Sequence, residues 1–311
     1  MTHFLVTGGN GFIGSHLVDR LAADKENRVT VFDLYPRSHG ESPAEVLFIQ
    51  GDIGDSPLLR RTLVDQGIET IYHVAWASIH ETSIKDPVRD IETSLVPSVG
   101  LLEASREAGV KRIVYVSSGG TVYGIPQSLP IPEEHSTHPI SGYGITKLAV
   151  ENYLRMYAHL YGVQSVILRP SVAYGPRQNP RRRQSAVTVF IHRALHGEPI
   201  NIWGDGEVLR DYIYVDDLTS ALVASAVVPL SSTAVFNLAG PAAYTLNQVI
   251  QEIERTLGVR IDVRYEPGRR FDVPLLKLDT RAAVRALNWK PVTDLAEGIE
   301  RTAMWLRQWK D

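Results

Sequence analysis

Tyr143 and Lys147 are the residues of this chain best suited to moving a proton. They lie four positions apart in Tyr143-Gly144-Ile145-Thr146-Lys147, so a helix would place both side chains on one face. A phenol has an ordinary pKa of about 10, which is too high for proton transfer near neutral pH. Because a nearby ammonium favours the phenolate, we expect Lys147 to lower the pKa of Tyr143 and make it a general base. The same spacing also occurs in ordinary surface pairs, so the assignment depends on the motifs around it.

Hydroxyl groups that could assist such a base lie in Val116-Ser117-Ser118-Gly119-Gly120-Thr121. This segment follows an apolar run, and the ends of parallel strands are where open α/β sheets bind ligands. We therefore name Ser118 and Thr121 as candidates for a hydrogen bond to the phenol and the reacting oxygen. The alternative is a Ser/Gly turn that only ends the strand.

A glycine-rich turn, Gly8-x-x-Gly11-x-x-Gly14, joins the apolar run 4–6 to the amphipathic run 15–22. Glycine is needed where the backbone takes a positive φ or closely approaches a ligand. The first N–H groups and the positive dipole end of the following helix suit a pyrophosphate. Strand, glycine turn and helix in this order predict a dinucleotide-binding unit.

Asp33 indicates which dinucleotide is bound, because it ends the second strand-like run, 19 residues after the last glycine of the turn. A carboxylate there accepts hydrogen bonds from both ribose hydroxyls of adenosine and repels a 2′-phosphate, which predicts NAD rather than NADP. The positive ring of NAD⁺ would further favour the Tyr143 phenolate, and Lys147 could donate to the nicotinamide ribose. Ala75 and Ala77 follow another strand, where small residues let a cofactor lie against the backbone or simply pack.

Strand-like and helical segments alternate through the first 170 residues. Short apolar runs follow at 46–49, 70–75, 111–116 and 164–169, with helical patterns between them, notably at 95–108 and 145–160. Continuous apolar strands separated by helices indicate a parallel sheet that is covered on both faces and has right-handed crossovers. The sequence therefore predicts the α/β class and a doubly wound parallel Rossmann sheet.

The alternation stops at residues 171–210, which are richer in Arg, Pro and Gly. One more buried strand is expected at 235–240, and helical patterns follow at 246–257 and 295–308. We assign residues 1–170, plus about 212–240, to an NAD-binding domain. Residues 171–211 and 241–311 are assigned to a smaller, mixed α/β domain that binds the substrate.

Composition excludes several classes of function. The 311 residues have a net charge of −3 and include no cysteine, which excludes disulfides, zinc thiolate sites and cysteine nucleophiles. The short basic cluster at 181–183 is typical of a solvated loop rather than of a nucleic-acid surface. The chain enters a strand at once and has no apolar run of membrane-spanning length. We expect a cytoplasmic protein that binds no metal, nucleic acid or membrane.

Taken together, the glycine turn, Asp33, the Ser-rich strand end and the Tyr143–Lys147 pair resemble the extended short-chain dehydrogenases/reductases. Over nearly the whole chain, the resemblance is to their nucleotide-sugar epimerase/dehydratase family, typified by UDP-galactose 4-epimerase. It implies an NAD cofactor held by Gly8, Gly11, Phe12, Ile13, Gly14, Asp33, Asp52, Ile53, Ala75, Ala77, Ser117, Tyr143, Lys147 and Pro170.

The resemblance also implies a site for a nucleotide-diphosphate sugar. The run 169–176 is similar to the family's strand leading to the sugar nucleotide, 204–217 to its diphosphate motif, and 269–272 to a late nucleotide motif. Planar guanidinium groups suit phosphate oxygens, although a single Arg is often only a surface ion pair. The implied substrate residues are Trp76, Ser171, Arg177, Arg210, Arg270 and Asp272.

The activity that the family implies is epimerisation at C4 of the sugar. Tyr143 would take the proton from O4 while C4 gives a hydride to NAD⁺, and the hydride would return to the other face of a transient 4-keto sugar. The cofactor would be regenerated in every cycle. The family also implies a homodimer with a four-helix contact built from 95–108 and 143–160, whose apolar residues could equally belong to the core.

The sequence departs from the family's pattern at several positions. Gly119 stands where the family usually has the Ser or Thr partner of the tyrosine, so Ser118, Thr121 or a water must supply that hydroxyl. The other departures are Val172 and Ser94, each in place of an asparagine, and Trp76 in place of a small residue, which reshapes the sugar pocket.

Three other functions are compatible with this fold, and the sequence favours them to different degrees. A 4,6-dehydratase is disfavoured, because Gly120 and Thr121 replace its Asp–Glu acid/base pair. An NAD(P)H-dependent 4-ketoreductase of an NDP-deoxysugar would use the same Tyr143 and Lys147, although Asp33 argues against NADPH. A non-catalytic nucleotide-sugar-binding protein would need neither side chain, since a fold alone does not fix a function.

Overall fold

The computed structural model describes residues 2–182, 184–268, 273 and 275–309. Its strands are β1 (Thr2–Thr7), β2 (Asn27–Asp33), β3 (Leu47–Gln50), β4 (Thr70–His73), β5 (Arg112–Val116), β6 (Gln164–Pro170), β7 (Val172–Tyr174), β8 (Ile200–Trp203), β9 (Leu209–Tyr214), β10 (Thr233–Leu238), β11 (Ala243–Thr245) and β12 (Val263–Glu266). Its helices are α1 (Phe12–Ala22), α2 (Ser56–Asp65), α3 (His80–Lys85), α4 (Pro87–Asp90), α5 (Val96–Glu107), α6 (Gly142–Tyr161), α7 (Ala186–Leu195), α8 (Val215–Ser225), α9 (Leu246–Leu257), α10 (Arg281–Ala286) and α11 (Leu295–Leu306). A π-helical turn, Ile91–Leu95, joins α4 to α5.

Seven strands form one sheet in the order β10-β6-β5-β4-β1-β2-β3, and every neighbouring pair is parallel. The chain order reverses between β1 and β4, and the carboxyl ends of strands on either side of such a reversal enclose a ligand crevice. The doubly wound parallel sheet predicted from the sequence is confirmed. All seven strands that build it were located in the sequence to within a few residues.

Two buried clusters cover the faces of this sheet. One packs the sheet against α1 and α8, and the other packs it against α2, α5 and α6. Both faces of the central strands are therefore apolar, as the continuous apolar runs require. Leu287 and Trp289, although the predicted boundary gives them to the other domain, pack in the first cluster.

A second, smaller region is built on the remaining strands. β11, β9 and β7 form a three-stranded sheet, β12 pairs with β8, and a third apolar cluster holds these strands against α7, α9 and α11. Within the described residues, no helix has the length and apolar character needed to cross a bilayer. The same residues contain no group of three or more His, Asp or Glu side chains placed to hold a metal ion.

Candidate active site

The glycine turn follows β1 and is packed so closely that two of its positions accept only glycine. Gly8 has a φ of +70°, and a Cβ added there would lie 2.7 Å from the Ala75 Cα. A Cβ at Gly14 would lie 2.1 Å from the Gly8 carbonyl oxygen. Gly11, by contrast, is exposed, and its added Cβ would meet only that oxygen, at 3.3 Å. Gly11 therefore marks the open side of the turn.

The N-terminus of α1 at this turn is suited to an anion. Gly11 is the N-cap residue, and within the described residues no side chain caps the helix there. The first turn, which includes Phe12 and Ile13, contains no acidic residue. Its N–H groups and dipole can therefore bind a pyrophosphate, so the glycine residues fit the dinucleotide predicted for them.

Asp33 lies beside the turn at the end of β2. Its carboxylate accepts the N–H groups of Asn10 at 2.9 Å and of Tyr35 at 3.2 Å. Because a carboxylate has about four lone-pair sites, acceptor positions are left for ribose hydroxyls. Asp52, which follows the neighbouring strand β3, is exposed. Ile53 is partly buried and packs against the apolar cluster that includes α2.

The reactive pair is assembled by α6. Ser141 caps this helix by accepting the Gly144 N–H at 3.2 Å, so Tyr143 and Lys147 occupy its first two turns. The Lys147 Nζ lies 5.6 Å from the centre of the Tyr143 ring and donates to the Val116 carbonyl oxygen at 2.8 Å. The pair is therefore held at the carboxyl end of β5, inside the crevice predicted by the strand order.

Burial, rather than the neighbouring charge, dominates the protonation of this pair. Burial raises the pKa of the Tyr143 phenol above its ordinary value, and the Asp90 carboxylate raises it further. Burial also lowers the pKa of the Lys147 ammonium well below its ordinary value, against the opposing effects of Asp90 and Glu151. A helical spacing does not reveal how little water reaches the pair, so this effect of burial is not visible in the sequence. The expected lowering of the Tyr143 pKa by Lys147 and the NAD⁺ ring together stays a prediction.

The absence of a hydroxyl at position 119 has a steric cause. A Cβ on Gly119 would lie 2.8 Å from the Arg169 carbonyl oxygen and 2.5 Å from the Leu278 Cδ1. The Gly119 N–H also donates to the Pro170 carbonyl oxygen at 2.9 Å, which ties the segment to the end of β6. A serine or threonine cannot be accommodated at this position unless its neighbours move.

The candidate hydroxyls differ in burial and in hydrogen bonding, and we take Thr121 first. Its Oγ1 is buried and has no hydrogen-bond partner among the described residues. Its carbonyl oxygen would lie 2.7 Å from a Cβ added at Gly144, so Thr121 packs directly against the turn that carries Tyr143. Ser117, in contrast, donates its hydroxyl to Glu151 at 2.6 Å, and Ser118 is half-buried.

The predicted substrate residues do not all lie together. Ser171, at the end of β6, is buried, and its Oγ has no hydrogen-bond partner within the described residues. Arg210 lies on β9, where its Nη1 donates to the Leu209 carbonyl oxygen at 2.8 Å. Arg270 and Asp272 lie outside the described residues.

Arg177 is placed against the cofactor half of the molecule. Its Nη2 pairs with the Asp19 carboxylate at 2.8 Å, and its Nη1 donates to the Ser15 Oγ at 3.3 Å, both on α1. This placement does not support a direct contact of Arg177 with a sugar nucleotide. An arginine in a loop gives no sequence signal of which carboxylate it will meet.

Three polar residues near the pair are not predicted from the sequence. Ser83 accepts the Tyr143 N–H at 2.9 Å and so fixes the start of α6. Arg169 forms a buried ion pair with Glu151, with Nη2 2.6 Å from Oε2. Glu151, four residues after Lys147 on α6, could have been found from helical spacing, whereas Ser83 and Arg169 depend on tertiary contacts.

Trp76 and Ala75 follow β4 on the other side of the crevice. Ala75 packs against Gly8, and Ala77 is exposed. The Trp76 ring lies 6.0 Å from the Tyr143 ring, edge to face. The crevice is thus bordered by the glycine turn, the end of β4, the end of β5 and the start of α6.

Comparison with known proteins agrees with this geometry. Residues 4–242 match the model of the NAD dependent epimerase/dehydratase family. A UDP-glucose 4-epimerase of Mycolicibacterium smegmatis is 36% identical over 308 residues, which cover 97% of this chain and 98% of that relative.

Two solved structures have the same fold over their whole length. The UDP-glucose 4-epimerase of Thermotoga maritima, crystallised with UDP-glucose, has a TM-score of 0.93 and 36% identity, and covers 99% of both chains. The UDP-glucose 4-epimerase of Thermus thermophilus, crystallised with NAD, has a TM-score of 0.90 and 32% identity, and covers 98% of this chain and 99% of that one.

Proposed function

Because this chain belongs to the NAD-dependent epimerase/dehydratase family, we propose that it interconverts a UDP-hexose and its C4 epimer through a transient 4-keto sugar. The observation that carries the proposal is the position of Tyr143 and Lys147, which α6 holds at the end of β5, within the crevice that the glycine turn borders. NAD is the cofactor of the family, and Asp33 favours it over NADP. The uridine nucleotide is suggested by the substrates of the relatives.

When bound, NAD⁺ would supply the hydride acceptor and a positively charged ring. That charge would favour the Tyr143 phenolate, which burial disfavours. Tyr143 then takes the proton from O4 as C4 loses its hydride, which leaves a ketone at C4 and a protonated phenol. Return of the hydride to the opposite face of C4, with the proton returned from Tyr143 to O4, completes the inversion. Thr121, whose hydroxyl has no partner among the described residues, donates this hydroxyl to O4 during both halves of the cycle.

The nucleotide must stay fixed while the sugar turns. We assign its diphosphate to the guanidinium of Arg210 on β9, together with Arg270, and we assign Ser171, at the end of β6, to the same nucleotide. Planar guanidinium groups bind phosphate oxygens with two parallel hydrogen bonds. The division into an NAD-binding domain and a nucleotide-sugar domain is part of this proposal.

The proposal includes a homodimer formed through α5 and α6. On α6, an apolar stripe at helical spacing is exposed, and it consists of Ile145, Tyr153, Met156 and Leu160. Val96 is exposed at the start of α5, which packs beside α6. A second copy of the chain, related by a two-fold axis, would cover both helices.

Epimerisation without external cofactor is the test. Purified protein incubated with UDP-galactose alone is expected to form UDP-glucose, followed by NMR of the sugar protons. Tyr143→Phe should lose turnover by on the order of 10²-fold or more while it still binds NAD and UDP. Tyr265→Phe removes an exposed phenol on β12, away from α6, and is the matched control that should be unaffected.

Three outcomes would contradict the proposal. Full activity of Tyr143→Phe would remove the general base. Stoichiometric consumption of added NAD(P)H with a 4-keto sugar would identify a ketoreductase. Tight binding of UDP-sugars without turnover across a panel of substrates would identify a binding protein.

A further inference from the structure

The ammonium of Lys147 lies against the face of an indole. Its Nζ is 3.7 Å from the centre of the Trp76 ring, compared with 5.0 Å from the Tyr115 ring and 5.6 Å from the Tyr143 ring. Lys147 is 3% exposed, and it donates to the Val116 carbonyl oxygen. Cation–π attraction is strongest at Trp and when the cation is desolvated. The Trp76 face therefore stabilises the charged form of Lys147.

The orientation of the indole is fixed by a chain of hydrogen bonds. The Trp76 Nε1 donates to the Ser78 Oγ at 3.1 Å, and the Ser78 hydroxyl donates to the Asp90 Oδ1. The other oxygen of Asp90 accepts the Thr146 hydroxyl at 2.9 Å. Asp90 is only 2% exposed, so this chain of bonds is sheltered from water and ties the indole to α6, which carries Lys147.

The charged groups around Lys147 leave part of the stabilisation of its ammonium to the Trp76 ring. The titratable groups that face it are His73 at the end of β4, Tyr115 on β5, Tyr143 and Glu151 on α6, and Asp90 on α4. Burial lowers the pKa of His73 to about 3, so this side chain is neutral at working pH. Glu151 is paired with Arg169, which offsets its charge. Asp90 acts on Lys147 through space, while its own oxygens are held by hydroxyls.

We propose that Trp76 is a positioning residue, whose indole face, aligned through Ser78 and Asp90, holds the charged ammonium of Lys147 beside Tyr143. The inference rests on the proposed function, in which a charged Lys147 favours the phenolate. It gives Trp76 a task beyond the shape of the sugar pocket. Without the indole face the buried ammonium loses its proton more readily, and the Tyr143 phenol becomes a weaker acid.

The test compares Trp76→Leu, which removes the aromatic face, with Trp76→Phe, which keeps a face but removes the Nε1 donor. The Nζ resonance of Lys147 is followed by NMR during pH titration of the NAD-loaded, ¹⁵N-lysine-labelled protein, and is identified by its absence in Lys147→Met. In Trp76→Leu the midpoint should fall by about one pH unit, and in Trp76→Phe by roughly half as much. In parallel, the acid limb of the pH profile of kcat should move to higher pH. Tyr143 must lose its proton to act, and it becomes a weaker acid when Lys147 loses its charge more readily.

Trp203→Leu, which changes an indole on β8 in the two-stranded sheet, is the control and should move neither quantity. An unchanged titration midpoint of Lys147 in Trp76→Leu would overturn the inference. So would a loss of kcat by the same factor at every pH, with no shift of the acid limb, because that result indicates a merely structural role of Trp76. If Trp76→Leu does not fold, Trp76→Met takes its place, since a flexible thioether fills the space without an aromatic face. If the wild-type protein proves not to be an epimerase, the proposed function fails, while the NMR titration still decides the role of Trp76.

Discussion

At the scale of single residues, we assign the hydroxyl that assists Tyr143 to Thr121, two positions after Gly119. Position 119 has no room for a Cβ. The Thr121 hydroxyl has no hydrogen-bond partner among the described residues, and the Thr121 carbonyl oxygen packs against Gly144, next to Tyr143. We expect Thr121→Val, which keeps the shape, to lower kcat by on the order of 10²-fold with little change in KM, because the lost hydrogen bond acts in the transition state. Steady-state kinetics on UDP-galactose measures this.

Ser118→Ala is the matched control, since it removes the neighbouring candidate hydroxyl. We expect it to keep most of the activity. The reverse result, an active Thr121→Val and an inactive Ser118→Ala, would transfer the role to Ser118. Gly119→Ser should not restore activity to Thr121→Val, because its side chain would have to displace Leu278 or the end of β6.

The choice of cofactor is also set by one side chain. The Asp33 carboxylate lies at the end of β2 and is anchored by the N–H groups of Asn10 and Tyr35. Asp33→Ala should weaken NAD binding by about 10-fold or more, since hydrogen bonds to a charged group are lost, and should weaken NADP binding less, since repulsion of its phosphate is also lost. Calorimetric titration of both dinucleotides gives the ratio, and an unchanged preference for NAD would contradict the ribose contact.

At the scale of elements, β9 contains a buried carboxyl that links the stability of the protein to pH. Asp211 is 3% exposed, and burial raises its pKa to about 6, against the Leu278 N–H that donates to its Oδ2 at 2.6 Å. Because the folded pKa exceeds the unfolded value, the stabilising effect of the bound proton is complete below about pH 4 and is lost as the pH rises through 6. The loss amounts to at most about 3 kcal/mol.

Asp211→Asn cannot ionise and should remove this dependence. Its free energy of unfolding should be similar to that of the wild type at about pH 4.5 and higher than that of the wild type at about pH 8. Urea unfolding at both pH values measures this difference. Asp205→Asn changes an exposed carboxylate shortly before β9 and serves as the control. Equal differences between Asp211→Asn and the wild type at both pH values would contradict the burial argument.

The elements differ in how far the sequence predicts them. Helix α9 is predicted at its observed bounds, because Thr245 and Gln248 form a capping box at its start and Gly258 ends it in the left-handed region. The strands of the large sheet are equally visible as apolar runs. β8 and β12 are not, because each has four residues and they meet only after about 60 intervening residues fold.

The same limit applies to the candidate site. The glycine turn, Asp33 and the Tyr143–Lys147 pair follow from local spacing, and the structure brings the pair to the predicted edge of the sheet. The contribution of burial to the Tyr143 pKa does not follow from that spacing, since it depends on distant segments that cover the phenol. The contact between Trp76 and Lys147 is also invisible in the sequence, because it requires β4 and α6 to converge.

At the scale of the whole molecule, the apolar stripe on α6 predicts an assembly of two copies. Leu160 and Met156 are exposed there, more than three turns beyond Tyr143, so changes at these positions test assembly without touching the reactive pair. Light scattering on the wild type should give twice the chain mass of 34.5 kDa. Met156→Glu and Leu160→Glu should give the monomer mass, because burying an unpaired carboxylate at the contact costs several kcal/mol.

Val227→Glu places the same charge on another exposed apolar position, after α8, and should leave the dimer intact. A monomeric wild type would contradict the predicted dimer. Dissociation by Val227→Glu but not by the two α6 variants would show that the contact between copies does not involve the α6 stripe. The monomeric variants also test whether assembly affects activity, since the first two turns of α6 contain Tyr143 and Lys147. If the second copy steadies this helix, kcat should fall in both α6 variants and stay unchanged in Val227→Glu, because only the former lose the support along α6.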